Sequence, residues 1–181
     1  MSAGARRATG MATLPMLAIT SCGLGLLRPA PGTWGSLPAP CLVALLAWSG
    51  APWWMAYAAL ALVLLVGCVS CIRFGADAER GFCAKDPSSC VADETAGAAL
   101  ALLAAPWPML WPAAEGGIHS VIAASIAGFL LFRVFDVWKP GAIRALQDRT
   151  GGWGILLDDL GAALWCWPPL IVLSIAAASM L

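Results

Sequence analysis

The chain has 181 residues, of which 61% are hydrophobic and 11% charged, with ten basic and ten acidic side chains and no net charge. Its mean hydropathy is +0.84, and a domain of this size buries only about two-thirds of its surface, so the composition excludes a soluble globule and points to an integral membrane protein. Disordered, collagen-like, coiled-coil and disulfide-framework classes are excluded too, and with no basic excess nucleic-acid binding is not expected.

Residues 11–27 are apolar, follow Arg6 and Arg7, and contain Pro15, Gly23 and Gly25. This resembles a signal peptide, and Ile19-Thr20-Ser21-Cys22 resembles a lipoprotein cleavage site. Residues 37–48 form a short apolar run that opens with Pro38 and Pro40. Residues 53–72 are a clean run of crossing length. Residues 96–111 carry Pro106 and Pro108 near their end, and residues 117–132 follow after a brief turn. Residues 160–181 close the chain, interrupted by Pro168 and Pro169. A full crossing takes about 20 residues, so several of these are short. Nothing alternates with period two like a barrel strand, so the spans are helical. The predicted fold class is all-α: a polytopic membrane helical protein with about five apolar spans. They form two helical hairpins, 37–72 and 96–132, and a C-terminal span, in a single domain over residues 1–181.

The polar segments give the orientation. Residues 49–52 and 113–117 carry no Lys or Arg, whereas 28–36, 73–95 and 133–159 hold Arg28, Arg73, Arg80, Lys85, Arg133, Lys139, Arg144 and Arg149. Two hairpins place the three basic segments on one face, which the positive-inside rule makes cytoplasmic. Residues 11–27 are then expected to re-enter or lie along the interface, keeping Arg6 and Arg7 inside. A cleaved lipoprotein start would force the other basic loops outside. Trp48, Trp53, Trp54, Trp107 and Trp111 fall near the outer tips, and Trp34, Trp138 and Trp153 near the inner face, as an interfacial belt requires. The seven cysteines are odd in number, which argues against a closed disulfide set. Cys68-x-x-Cys71 lies inside an apolar run, where free cysteine is small filler. Cys83 and Cys90 sit in a polar loop without the histidine or second cysteine pair that a metal site needs.

The acids carry the chemistry. All except Glu115 lie on the cytoplasmic face: Asp77, Glu79, Asp86, Asp93, Glu94, Asp136, Asp148, Asp158 and Asp159. Asp93-Glu94 is expected just before a helix starting near Ala96, Asp136 just after a span, and Asp158-Asp159 just before the last span. Carboxylates at a membrane boundary are costly unless paired or metal-bound. Helix capping accounts for one member of each pair, but two adjacent pairs plus a third aspartate favour a metal site. Carboxylate oxygens suit Mg²⁺ or Mn²⁺ over zinc. The one histidine, His119, sits near an outer tip, so no histidine base serves this face. Arg133, Lys139 and Arg144 stand among the acids, and bases beside a hard cation make a phosphate site. Gly32-Thr33-Trp34-Gly35-Ser36 and Gly151-Gly152-Trp153-Gly154 are expected to let main-chain amides approach an anion. Cysteine-phosphatase, aspartyl-phosphate, alcohol-phosphotransferase and Walker motifs are all missing, which leaves a metal-activated water attacking phosphorus. These residues describe a Mg²⁺-dependent, phosphate-handling enzyme at the inner membrane surface, with a lipidic substrate. A small transporter or channel with an acidic ion site is the alternative, and it would place ionisable residues along the spans.

Four ordered blocks carry a resemblance. They are Pro31-Gly32-Thr33-Trp34-Gly35-Ser36; Lys85-Asp86-Pro87-Ser88 with Val91-Ala92-Asp93-Glu94; Phe132-Arg133-Val134-Phe135-Asp136-Val137-Trp138-Lys139-Pro140; and Gly151-Gly152-Trp153-Gly154-Ile155 running to Asp158-Asp159. Together they resemble the phosphatidylglycerophosphatase A family over about residues 23–163. The resemblance implies a multi-pass enzyme of the bacterial inner membrane, with its site facing the cytoplasm. It would use Mg²⁺ to remove the terminal phosphate of the phospholipid phosphatidylglycerophosphate, giving phosphatidylglycerol. By matching positions, Asp93, Glu94, Asp136, Asp158 and Asp159 would bind metal or position water. Arg133, Lys139 and Arg144 would hold phosphate, with Thr33 and Ser36 hydrogen-bonding it. Two positions depart from the family pattern. Ala142 replaces a second proline after Pro140, and Ala92 stands where an aromatic is common. Neither removes a charged group.

Overall fold

The computed structural model describes residues 12–85, 87–111, 117–139 and 152–178. Among these residues there is no strand. Helix α1 spans Thr13–Ile19, α2 Pro31–Ser36, α3 Pro38–Trp48, α4 Trp54–Phe82, α5 Ala92–Leu102, α6 Trp107–Leu110, α7 Gly117–Trp138 and α8 Gly152–Ala178. A short 3₁₀ turn covers Leu24–Leu26.

Three of these, α4, α7 and α8, are long and apolar enough to cross a membrane. They contain 29, 22 and 27 residues, so each exceeds the roughly 30 Å of a hydrocarbon core at about 1.5 Å per residue. About a third or less of each apolar stretch is buried inside the protein. The outward faces carry Leu62, Leu65, Val66 and Val69 on α4, Ile126, Leu130 and Val134 on α7, and Leu164, Val172 and Leu173 on α8. Apolar stripes of that extent are what a bilayer covers.

Of the other two expected spans, one is a single short helix and one is broken. The expected span 37–48 is α3, which starts at Pro38 and follows α2 with only Leu37 between them; the expected span 96–111 divides into the end of α5 and α6, with the break ahead of Pro106. Proline lacks the N–H that would continue the ladder, so the start and the break each fall where the sequence places one. Helices α3 and α5 contain 11 residues each, about 16 Å of helix, and neither crosses a bilayer alone. Helix α5 is the centre of the bundle, packed against α4, α8, α2, α7 and α3. Its run of Ala and Gly buries Ala96, Gly97, Ala98, Ala99 and Ala101 with little side chain on any side, so neighbours approach its backbone closely. A Cβ at Gly97 would stand 2.6 Å from the Phe132 ring of α7.

The two ends of the bundle differ. At one, the Tyr57 hydroxyl donates to the Ala105 carbonyl at 2.8 Å and the Trp111 indole to the Ala51 carbonyl at 2.6 Å, joining the two hairpin tips. The segments carrying the described Asp, Glu, Lys and Arg meet at the other. Residues 12–27 do not make one crossing helix. Helix α1 has seven residues, and the chain then turns through positive φ at Ser21, Cys22 and Gly23. The turn is fastened to the charged end by a 2.7 Å hydrogen bond between the Ser21 and Thr95 hydroxyls.

Several expectations need correction. Residues 73–95 are not one loop, because α4 runs on to Phe82 and α5 begins at Ala92. Gly75, Ala78 and Phe82 continue a buried face at helical spacing beyond the apolar run, while Arg80 pairs outward with Asp77. Asp93 and Glu94 therefore lie within the first turn of α5, and Asp158 and Asp159 lie inside α8, which starts at Gly152. The segment 32–36 is no open anion loop. It is helix α2, entered through Pro31 and closed by the Ser36 hydroxyl donating to the Gly32 carbonyl at 2.7 Å. In the other glycine-rich segment, Gly152 serves helix packing, since a Cβ there would stand 1.9 Å from the Cys71 carbonyl oxygen of α4.

Candidate active site

Four elements converge at the charged end. The first turn of α5 supplies Asp93 and Glu94, and the last turns of α7 supply Arg133 and Asp136. Lys139 follows immediately, in a left-handed backbone conformation with φ of 43°. Helix α8 supplies Asp158 and Asp159 in its second turn, and α2 closes the side with Gly32 and Ser36.

Three of the five expected metal-binding acids form one cluster. Asp93, Glu94 and Asp159 each offer a carboxylate oxygen, and these atoms lie within 4.8 Å of one another. The other two hold bases. Arg133 Nη1 sits 2.6 Å from Asp136 Oδ2, and Lys139 Nζ donates to Asp158 Oδ2. Lys139 Nζ also lies 3.7 Å from Asp136 Oδ1 and 3.8 Å from Asp159 Oδ1, so Asp159 links the cluster to the ion pairs. Of the expected phosphate ligands, Arg133 and Lys139 are at the site. Ser36 is fully buried behind Arg133, and Thr33 is half-buried on α2 and joins none of these pairs. Arg144, with Asp86, Asp148, Arg149 and Glu115, lies outside the described residues.

The electrostatics call for protons or a cation at this place. Among the described residues, five carboxylates face two cationic side chains, an excess of negative charge in a largely buried place. Such an excess must be met by protons or by a positive ion. Burial pushes the Glu94 carboxyl up to about 8; the charges of Asp159 and Asp136 add to this, and its hydrogen bond with Asp93 and the charge of Arg133 oppose it. Burial disfavours the Lys139 ammonium, but Asp159, Asp158 and Asp136 outweigh it and hold that group above its usual range. Glu94 Oε2 and Asp159 Oδ2 are buried without a hydrogen-bond partner. An oxygen-only donor set with free lone pairs fits a hard divalent cation such as Mg²⁺ or Mn²⁺ and does not fit zinc.

Sequence reasoning missed two supports of this arrangement. Thr95 Oγ1 lies 2.7 Å from the Gly35 carbonyl and 2.7 Å from the Ser21 hydroxyl, pinning α2 and the turn after α1 to α5. Gly32 presses against the site itself, because a Cβ there would stand 2.4 Å from Glu94 Oε1 and 3.1 Å from Arg133 Nη1. The only sequence signal for the first was a threonine one residue after the acid pair. The cysteines stay outside the cluster's donor set: Cys83 is exposed at the end of α4, Cys90 is buried, and Cys68 and Cys71 lie within α4.

Comparison with known proteins agrees with this geometry. The family model for phosphatidylglycerophosphatase A matches residues 17–174. A Haemophilus influenzae protein named phosphatidylglycerophosphatase A is 37% identical over 79% of this chain and 78% of its own length. An Escherichia coli protein of the same name is 32% identical over 78% of this chain and 73% of its own length. A Bacteroides thetaiotaomicron protein provisionally named a phosphatidylinositol-3-phosphatase is 35% identical over 84% of this chain and 88% of its own length. No solved structure matches the chain. With nearly the whole chain matched by the family model, and the motif acids and bases drawn together at one end of an apolar bundle, the chain belongs to the phosphatidylglycerophosphatase A family.

Proposed function

We propose that this protein hydrolyses the terminal phosphate monoester of phosphatidylglycerophosphate to give phosphatidylglycerol, that it requires Mg²⁺, and that it works at the cytoplasmic face of the bacterial inner membrane. The observation that carries this reading is the carboxylate cluster of Asp93, Glu94 and Asp159 with Arg133 and Lys139 at its edge. It lies at one end of helices whose outer faces suit lipid. The five-pass topology, with the charged end inside, rests on the basic residues of that end. Transport is not favoured, since the described ionisable groups gather at one end and the family relatives are named as phosphatases.

Asp93, Glu94 and Asp159 would hold the cation, which when bound supplies Lewis acidity toward a phosphoryl oxygen and a more acidic water. Arg133 and Lys139 neutralise the phosphate oxygens and hold the monoester against the acids. Asp136 keeps the Arg133 guanidinium oriented, and Asp158 does the same for the Lys139 ammonium. The diacylglycerol part of the substrate stays in the bilayer beside the exposed apolar faces of α7 and α8, so only the head group enters the polar end. Water is limited by burial of Asp158 and Asp159, each 2% exposed.

The test is inorganic phosphate release by purified protein in detergent micelles, with Mg²⁺ and then with excess EDTA. Phosphatidylglycerophosphate, phosphatidic acid and phosphatidylinositol 3-phosphate are offered separately. Mg²⁺-dependent release from the first, well above the others, is the expected result. Release that ignores EDTA would remove the metal assignment, and preference for the inositol lipid would replace the substrate.

A further inference from the structure

We propose that helix α2 is the positioning element of the site: Ser36 orients Arg133, and Gly32 leaves the gap that Arg133 and Glu94 share. This rests on the cation and phosphate roles proposed above. It also revises the expectation that Ser36 bonds the phosphate directly.

The hydroxyl of Ser36 is already committed. It is fully buried, and its single proton goes to the Gly32 carbonyl at 2.7 Å. A phosphate oxygen needs a donor, and a serine hydroxyl has one proton to give. What remains is its acceptor side, which faces Arg133 Nη1 at 3.4 Å. The guanidinium is therefore gripped from two directions, by Ser36 Oγ and by Asp136 Oδ2 at 2.6 Å. Both contacts fall on Nη1, so that end of the planar fork is fixed and its Nη2 and Nε N–H groups are turned away from Ser36 and Asp136. That orientation suits a tetrahedral anion.

Gly32 acts by having no side chain. A Cβ on it would stand 2.4 Å from Glu94 Oε1, 3.1 Å from Arg133 Nη1 and 3.2 Å from Arg133 Nη2. All three atoms are the far ends of long side chains. An alanine would therefore move the two functional groups and not the helices that carry them. The same short helix thus sets the distance between a cation ligand and a phosphate ligand. Gly35, one turn on, fixes α2 itself, since a Cβ there would stand 2.5 Å from Val91 Cβ just ahead of α5.

The experiment has two arms, and neither needs the lipid substrate. In the first, Mg²⁺ and Mn²⁺ binding to Gly32→Ala is measured by calorimetry in detergent beside wild type and Ser36→Ala. Gly32→Ala should bind the cation about tenfold or more weakly, with helical circular dichroism retained, and Ser36→Ala should bind it as wild type does. Equal cation affinity in a folded Gly32→Ala would overturn the Gly32 part. In the second, the dissociation constant for inorganic phosphate is measured for wild type, Ser36→Ala, Arg133→Lys and the double variant. Ser36→Ala should weaken phosphate binding severalfold alone and add nothing in the Arg133→Lys background. Effects that multiply would mean that Ser36 touches phosphate itself. If Gly32→Ala does not fold, the cycle on Ser36 and Arg133 still decides the positioning claim. Failure of phosphatidylglycerophosphate hydrolysis by wild type would refute the substrate and leave both arms readable.

Discussion

Lys139→Met should strengthen cation binding and weaken substrate binding at once. Lys139 Nζ stands 3.8 Å from Asp159 Oδ1, on the acid that links the cluster to the ion pairs. Two unit charges at that separation interact by about 4 kcal/mol at an effective dielectric of about 20. The Lys139 side chain is 18% exposed, and screening with rearrangement of its neighbours reduces the net effect to about 1–3 kcal/mol. Among the described residues, removing this resident cation leaves five carboxylates facing Arg133, so an entering divalent ion meets less repulsion and more uncompensated charge. The expected gain is on the order of ten- to a hundredfold in Mg²⁺ affinity. Phosphate binding moves the other way, because one of the two described bases at the site is gone, and KM should rise by about tenfold or more. Calorimetric Mg²⁺ titration in detergent reads the first quantity and phosphate release against lipid concentration reads the second. Weaker Mg²⁺ binding in a folded Lys139→Met protein would refute the reasoning, and would mean that Lys139 chiefly orders Asp158 and Asp159 for the cation.

Asp93→Asn and Asp159→Asn should each lower turnover by about a hundredfold or more while insertion and helicity stay intact, since each removes a member of the cluster. Asp77→Asn, on the exposed side of α4 beside Arg80, should match wild type in the same phosphate-release assay. Glu94 holds a proton up to about pH 8 when no cation is bound, and that proton must leave for the carboxylate to ligate. Mg²⁺ affinity should therefore rise at least about tenfold per pH unit below 8; a pH-independent affinity between 6 and 8 would mean that Glu94 is already ionised there or is not a ligand. Gly152→Ala should lower thermal stability in detergent by about 1–3 kcal/mol, because a Cβ there would stand 1.9 Å from the Cys71 carbonyl, a backbone atom that cannot step aside alone. Unchanged melting would mean that α4 and α8 pack more loosely than described.

Much of the site was legible because charge is so rare in this chain. With 11% charged residues in a run of apolar segments, Asp93, Glu94, Asp136, Asp158 and Asp159 stand out, and a membrane boundary lets few carboxylates stay without a partner. Local sequence also marked helix boundaries: α3 starts at Pro38, and the run 96–111 breaks ahead of Pro106, where a backbone donor is missing. Other helix boundaries were harder to read. No apolar run of crossing length marks residues 73–82 or 152–159 as helix; they are held as helix by Gly75, Ala78 and Phe82 in α4 and by Ile155 and Leu156 in α8 packing inward.

Composition and motif spacing alone determined that the chain is an all-helical membrane protein with acids and bases gathered on one face, because apolar run length and the scarcity of charge are properties of the chain itself. Only the tertiary structure decided how those acids divide. Asp93, Glu94 and Asp159 come together from α5 and α8, which are far apart in sequence, while Asp136 and Asp158 turn to Arg133 and Lys139. It alone decided, too, that the glycines of residues 32–36 make room for a carboxylate and a guanidinium. Adjacent carboxylates such as Asp158 and Asp159 are indistinguishable along the chain. Which partner each meets depends on helix crossings set by contacts between remote residues.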